Sequence, residues 1–459
     1  MNTAGTTSAR PVRKSTYFFG SLGGLLLGYD LGVVAGALLF ITPEFGLTPL
    51  QKGLVTSSLL VGGMIAALGC GRVTDRFGRR FVVLLAGLLF GIGAIGAGFA
   101  PNVATIIFFR FVMGLAVGAA SVIVPVYLSE IAPPRSRGML SGLNQLMIST
   151  GILVAYLVNL GLAPFGAWRW MFGLAAVPAI LLVIGAYIQP ESPRWLVKKG
   201  REAEAREVLS RSRDATELEA ELAEIRQVVA AERSQIRIGE LFGDVRLRRI
   251  LLVGVGLAVF QQISGINTII YYAPTILTSI GFGNSAAILA NAGLGVLTVV
   301  VTILMITVVV DRVGRRRPLM LGALGLSFSM ALLAVTFFSS GIRGGAGGWI
   351  AIVGLSLFKI SFSLSWGGIV WIMLGEIFPL RARGTAMGVA TFGNWAANFL
   401  VAQFFPVLLG GGNGLVFTLF AVLCATAFVF AYFKVPETKG RSLEQIEEQL
   451  GASALPARR

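Results

Sequence analysis

Twelve stretches of this chain are each apolar for about 20 residues, the length an α-helix needs to cross the hydrocarbon of a bilayer. They fall near residues 16–40, 53–71, 81–99, 104–128, 139–160, 170–189, 250–279, 287–310, 318–338, 349–375, 386–409 and 414–434. Lipid offers no partner to a backbone N–H or C=O, so a segment of this length must satisfy its own groups as a helix. The fold expected is an all-α polytopic membrane protein with twelve transmembrane helices.

The net charge of +16 would suggest nucleic acid in a soluble chain, so its location matters. Threaded through twelve spans, Lys and Arg crowd the tails and the loops on one side. The opposite side holds only Lys52, Arg169 and Arg343. By the positive-inside rule both termini are expected in the cytoplasm, with the basic surface against membrane lipids and no nucleic acid involved. The short polar N-tail lacks a cleavage site of small residues, so the first span is expected to be retained.

Three loop motifs on that basic side occur twice in the same order. GRVTDRFGRR at Gly71–Arg80 is echoed by DRVGRRRP at Asp311–Pro318, EIAPPRSRG from Glu130 by EIFPLRARG from Glu376, and PESPR from Pro190 by PETKG from Pro436. The last two pairs are each 246 residues apart. Such a repeat divides the chain into an N-tail (1–15), a six-helix bundle (16–189), a connector (190–249), a second bundle (250–434) and a C-tail (435–459). The connector carries an apolar stripe at Leu218, Leu222, Ile225 and Val229, which predicts short amphipathic helices. Gly71 and Gly78 allow tight approach of spans two and three, and Asp75 can accept from amides or a nearby arginine. Arg76 helps hold that loop inside. Glu130, Arg137, Glu191 and Arg194, with Asp311, Arg315, Glu376, Arg383 and Glu437 in the second half, are candidates for an ion-pair belt that latches the inner faces. Ordinary exposed ion pairs, worth about 0–1 kcal/mol each, are the plainer alternative.

The seventh span contains QQISGINTIIYY, residues Gln261–Tyr272. Two glutamines, an asparagine and two tyrosines at membrane depth mark a site or interhelical hydrogen bonding. A regular helix advances about 100° per residue, so Gln262 and Asn267 would point about 140° apart. They share one cavity only if the helix breaks, and Ser264-Gly265 supplies a break.

Asp30 is about 21 Å along the first span and Arg110 about 9 Å into the oppositely directed fourth. Both fall in the same half of the membrane, where a lone charge costs about 2.5–3.5 kcal/mol, so each is the other's nearest candidate partner. Separating the pair would favour protonation of Asp30, which makes a proton-coupling device; a static ion pair is the alternative. There is no histidine, so any proton relay must use carboxylates. Cys70 and Cys424 lie in spans and suggest neither disulfide nor metal cluster. Gly114 and Gly118 read as close helix packing. Lys359, alone in the tenth span, either lines a cavity or meets an anionic group. GIGAIG at Gly91–Gly96 fits a dinucleotide fingerprint but lies within a span, without the required strand and helix. No phosphate-binding G-x-x-x-x-G-K-[ST] occurs, so ATP-driven transport has no visible engine, and no cofactor is expected.

Taken together, GYDLG at Gly28, GRVTDRFGRR, RFVMG at Arg110, PVYLSEIAPPRSRG from Pro125, PESPRWL, QQISGIN, EIFPLRARG and PETKGRSLEQIE resemble the sugar porter family of the major facilitator superfamily across nearly the whole chain. The resemblance implies an alternating-access monosaccharide transporter with an intracellular helical domain. Position by position, it implies that Gln145, Gln261, Gln262, Asn267, Tyr271, Trp371 and Asn394 hold the sugar, with Gly367 beside them. Amides and an indole suit hydroxyls that both donate and accept. Proton-coupled members carry an acid at Asp30 and an arginine at Arg110. Leu27, Gly368 and Thr298 or Val299 depart from the family pattern around the pocket.

The expected function is proton-coupled import of a hexose or pentose across the plasma membrane by a monomer. A facilitative uniporter and a polyol or inositol symporter are the alternatives. A sugar sensor would need a long signalling tail, whereas residues 435–459 alone follow the last span, and an enzyme would need a nucleophile or metal cluster beside the pocket.

Overall fold

The computed structural model describes residues 14–131, 137–211, 213, 215–231, 238–309, 313–338, 345–379, 381–412, 414–441 and 445. Among them, twelve helices are long and apolar enough to cross a membrane: Leu22–Phe45, Pro49–Phe77, Arg79–Gly98, Val103–Ile131, Gly142–Phe165, Trp168–Ile188, Val245–Ser279, Asn284–Val308, Arg316–Phe338, Gly347–Ile377, Arg383–Gly410 and Leu415–Lys434. They are the first to twelfth spans below. The face that carries both chain ends is the terminal face, and the opposite one the far face.

The second span is longer than its apolar run because both ends are specified. Thr48 accepts from the Gln51 N–H while Gln51 accepts from the Thr48 N–H, and Pro49 occupies the first turn. At the other end the helix carries the polar motif through to Phe77 and stops at Gly78, where φ is +101°. The seventh span breaks where the sequence predicts. Its first helix ends at Ile263, Gly265 takes φ +92°, and a second helix starts at Ile266. The tenth span, expected to be continuous, also breaks, between Ser363 and Trp366. Serine hydroxyls in SFSLS compete for backbone groups, and Ser365 donates to the Ser361 carbonyl.

Within the first half the second and fourth spans pack closely through Gly114 and Gly118. A Cβ at Gly114 would lie 2.0 Å from the Leu59 carbonyl oxygen, and one at Gly118 2.4 Å from that of Gly63. The obstacle is backbone, which cannot rotate away. Gly114→Leu is therefore expected to cost about 3 kcal/mol, the upper end for overpacking, and to lower the melting temperature of the purified protein by several degrees. An unchanged melting curve would refute this account of the packing.

The halves meet through the first span with the seventh, the second with the eleventh and the fifth with the eighth. On the far face Ser57 donates to Gln403 Oε1 at 2.6 Å, Gln403 Nε2 donates to the Leu50 carbonyl at 3.2 Å, and the Tyr156 hydroxyl donates to the Ile270 carbonyl at 3.0 Å. A cavity of about 240 Å³ opens in this seam, among Thr42, Lys52, Tyr272, Thr275, Ser279 and Phe405.

The segment between the halves forms the helices Pro193–Lys198, Glu202–Ser210, Ala215–Ala231 and Ile238–Gly243. Leu218 and Leu222 bury against Trp195, Leu196, Ala205 and Leu209, with Ile225 packed on them, in a small core of their own. Val229, the last residue of the stripe, is half-buried and outside that core.

Candidate functional site

The break at Gly265 turns Asn267 back toward Gln262. Asn267 Nδ2 donates to Gln262 Oε1 at 2.7 Å, and Gln262 Nε2 donates to Asn394 Oδ1 of the eleventh span at 3.0 Å. Asn394 Nδ2 in turn donates to Gln261 Oε1 and to the Ala258 carbonyl, both at 2.8 Å. Gln261 Nε2 reaches the Trp366 carbonyl at 2.7 Å and that of Gly367 at 3.4 Å, tying the cluster to the break in the tenth span. These four amides are at most 8% exposed. In this arrangement each holds its neighbours' donors and acceptors in place. Chemically, such a network can exchange amide–amide bonds one for one for hydrogen bonds to a polyhydroxyl molecule.

Of the predicted ligand residues, Gln261, Gln262, Asn267 and Asn394 come together, and the Gly367 carbonyl joins them. Gln145 is half-buried on the fifth span, outside this hydrogen-bonded set. Trp371 is 37% exposed, while it is Trp366, one turn nearer the break, that is fully buried and donates to the Leu319 carbonyl. Tyr271 is 1% exposed and lies one turn beyond Asn267, beside the Asn398 amide and within reach of the charges of Asp30 and Arg110.

That pair forms as the span geometry predicts. Arg110 donates to Asp30 Oδ1 at 2.7 Å with both side chains enclosed, and Asp30 Oδ2 has no hydrogen-bond partner. Arg110 Nε also donates to the Val55 carbonyl at 3.0 Å, and its guanidinium lies 5.7 Å from the Phe172 ring centre. The arginine is thus fixed to the second span and satisfied from several sides. Lys359 is 1% exposed on the tenth span, and among the described residues no carboxylate pairs with it.

On the terminal face the described motif residues show these pairings. Arg79 pairs with Glu130 at 3.0 Å, and Ser192 donates to the same carboxylate; Arg315 pairs with Glu376 at 3.3 Å, and Thr438 donates to that one. Each of these two sets lies within one half. Glu191 accepts from the N–H groups of Arg79 and Arg80 at the start of the third span, and Glu437 from those of Arg315 and Arg316 at the start of the ninth. A carboxylate at a helix N-terminus satisfies orphan donors and meets the positive end of the dipole. Partial burial works against the charge on Glu437, but its backbone donors outweigh this and hold the carboxyl below the usual range. Asp75 receives Lys198 at 3.1 Å, Arg76 stacks on Phe77, and Arg383 donates to the Phe378 carbonyl at 3.3 Å. Arg194 follows the Ser192 cap in the first connector helix. The Arg137 side chain and Asp311 lie outside the described residues.

Sequence reasoning missed Ser57, Gln403, Asn398, Ser192 and Thr438. Asn398 is legible in retrospect, one helical turn after Asn394.

Twelve spans in two bundles, with broken helices meeting at a buried amide cluster, define a membrane transporter with the fold of the major facilitator superfamily. The family described as "Sugar (and other) transporter" matches residues 16–450, and the chain belongs to it. It is 47% identical over 435 residues to the probable metabolite transport protein CsbC of Bacillus subtilis (strain 168), covering 95% of this chain and 94% of that one. It is 44% identical over 444 residues to a D-xylose transporter of Levilactobacillus brevis, covering 95% of each. Among solved structures it is similar to the xylose transporter XylE from E. coli. A partially occluded inward open conformation of XylE gives a TM-score of 0.82 at 30% identity, covering 94% of this chain and 99% of that one. XylE described as a proton:xylose symporter, bound to 6-bromo-6-deoxy-D-glucose, gives 0.77 at 31% identity, covering 95% and 98%.

Proposed function

We propose that the protein imports a monosaccharide, hexose or pentose, together with a proton across the plasma membrane, both termini being cytoplasmic. The observation that carries this reading is the buried Asp30–Arg110 pair, whose charges reach Tyr271 on the same broken span that presents the amide cluster. A purely facilitative carrier has no need of an ionisable pair at that depth, where each charge is costly. The bundles 16–189 and 250–434 rock about the amide cluster, the sugar being held by Gln261, Gln262, Asn267 and Asn394, with Gln145 and Trp371 closing on it from the other spans. The far-face seam is the closed outer gate of an inward-facing state. The two terminal-face clusters brace each bundle while the cytoplasmic side is open.

The test is uptake of a labelled monosaccharide panel into proteoliposomes under an imposed inward proton gradient. At least one sugar is expected to accumulate above equilibrium; no uptake of any sugar would overturn the reading. Gln262→Ala removes hydrogen bonds to both Asn267 and Asn394. At about 0.5–1.5 kcal/mol each, its loss is expected to weaken binding of the transported sugar by about 5- to 150-fold, read as Kd.

A further inference from the structure

Among the described residues, four deeply buried polar atoms on spans that join the halves lack a well-formed hydrogen bond: Asp30 Oδ2 on the first span, Thr268 Oγ1 and Tyr271 OH on the seventh, and Asn398 Oδ1 on the eleventh. Their residues are 0%, 0%, 1% and 6% exposed. Unmade hydrogen bonds at buried atoms are rare, and several facing one region call for a shared explanation.

The spacing supplies one. Asn267 and Tyr271 are four residues apart on one helix, and Asn394 and Asn398 are four apart on another, so each pair stacks on one helical face. The two helices therefore present two rungs. The first is the amide cluster of Asn267, Asn394 and the glutamines. The second is Tyr271 with Asn398, whose amide stands close enough to act on the Tyr271 hydroxyl, and that hydroxyl also feels the charges of Asp30 and Arg110. Arg110 from the fourth span is the charge that acts on Asp30, and Tyr271 from the seventh is the titratable group that feels both; the sixth span's Arg169 meets the first span at Glu44 instead.

We propose that Asn398 is a positioning residue that carries the protonation state of Asp30 to the sugar rung through the Tyr271 hydroxyl. This inference rests on the proton–sugar reading above. With Asp30 ionised, the tyrosine hydroxyl is drawn as a donor toward the carboxylate, directly or through water held beside Thr268. With a proton from the far side bound to Asp30, that demand disappears, and the hydroxyl turns to donate to Asn398 Oδ1. No covalent bond changes beyond the O–H formed on Asp30. The new hydrogen bond ties the seventh span to the eleventh one turn from Asn267 and Asn394, which sets the first rung for the sugar. Binding of proton and sugar then favour each other equally, as linkage requires.

The experiment measures Kd for D-xylose and for D-glucose from pH 5 to pH 9, with the native protein, Asn398→Leu and Tyr271→Phe. One proton taken up with each sugar gives a native Kd that weakens as pH rises, approaching tenfold per unit at its steepest. In both variants the slope is expected to fall below about twofold per unit. A packing role alone would move Kd equally at every pH and keep the slope; that result overturns the inference. Tyr271→Phe removes a single oxygen and decides the matter should Asn398→Leu fail to fold. A native Kd without pH dependence, or no binding of either sugar, instead removes the symport reading and the inference with it.

Discussion

Replacing Asp30 by Asn is expected to abolish accumulation while leaving exchange of labelled for unlabelled sugar measurable. A membrane potential of about 100 mV with one unit of pH difference supplies about 3.7 kcal/mol per proton, enough for several-hundredfold accumulation. Asparagine keeps the size of the side chain and an oxygen that can accept from Arg110, but it cannot take up a proton. It imitates the protonated state permanently. The other contacts of Arg110, to the Val55 carbonyl and the Phe172 ring, keep the guanidinium held when its anion is lost. Internal sugar should then reach the external concentration and no more. Proteoliposomes with and without a proton gradient separate the outcomes, and a variant that still concentrates sugar would take Asp30 out of the energy-coupling step.

Gly53→Trp should stop transport by holding the far-face seam apart. A Cβ there would already lie 2.1 Å from the Gln403 carbonyl oxygen and 2.8 Å from its Nε2. An indole has no room unless the second and eleventh spans separate, and the Ser57–Gln403 bond is lost when they do. Turnover needs that seam to close once per cycle, so a drop of at least about 100-fold in sugar flux is expected, equivalent to about 2.7 kcal/mol of bias against closure. In the same background a cysteine at position 57 should react with a membrane-impermeant maleimide, whereas the native seam shields Ser57. Transport at the native rate, or no gain in labelling, would mean that the seam is not a gate.

Most of the fold was legible because lipid enforces it: each run of about 20 apolar residues had to be a helix. The break at Gly265 was legible because glycine stood between polar residues that a straight helix would turn apart. The tenth-span break was not, since SFSLS is apolar enough to pass for continuous helix and its serines bond backbone only once neighbours fix them. The Asp30–Arg110 pair followed from depth alone. The terminal-face acids did not, because sequence spacing matched Glu130 with Glu376 and Glu191 with Glu437 without showing that each finds its arginine or helix end inside its own bundle. Trp371 was placed by family position alone, whereas the ring and carbonyl of Trp366 are placed by the helix break beside it, which no spacing rule conveys.

The closure of those acid sets has a consequence for the covalent chain. Arg79, Glu130 and Ser192 meet on the first half's side of the molecule, and Arg315, Glu376 and Thr438 on the second's. A polypeptide cut after Ala231 would leave two fragments, each with its own corner joints complete and a complementary edge to find in the bilayer.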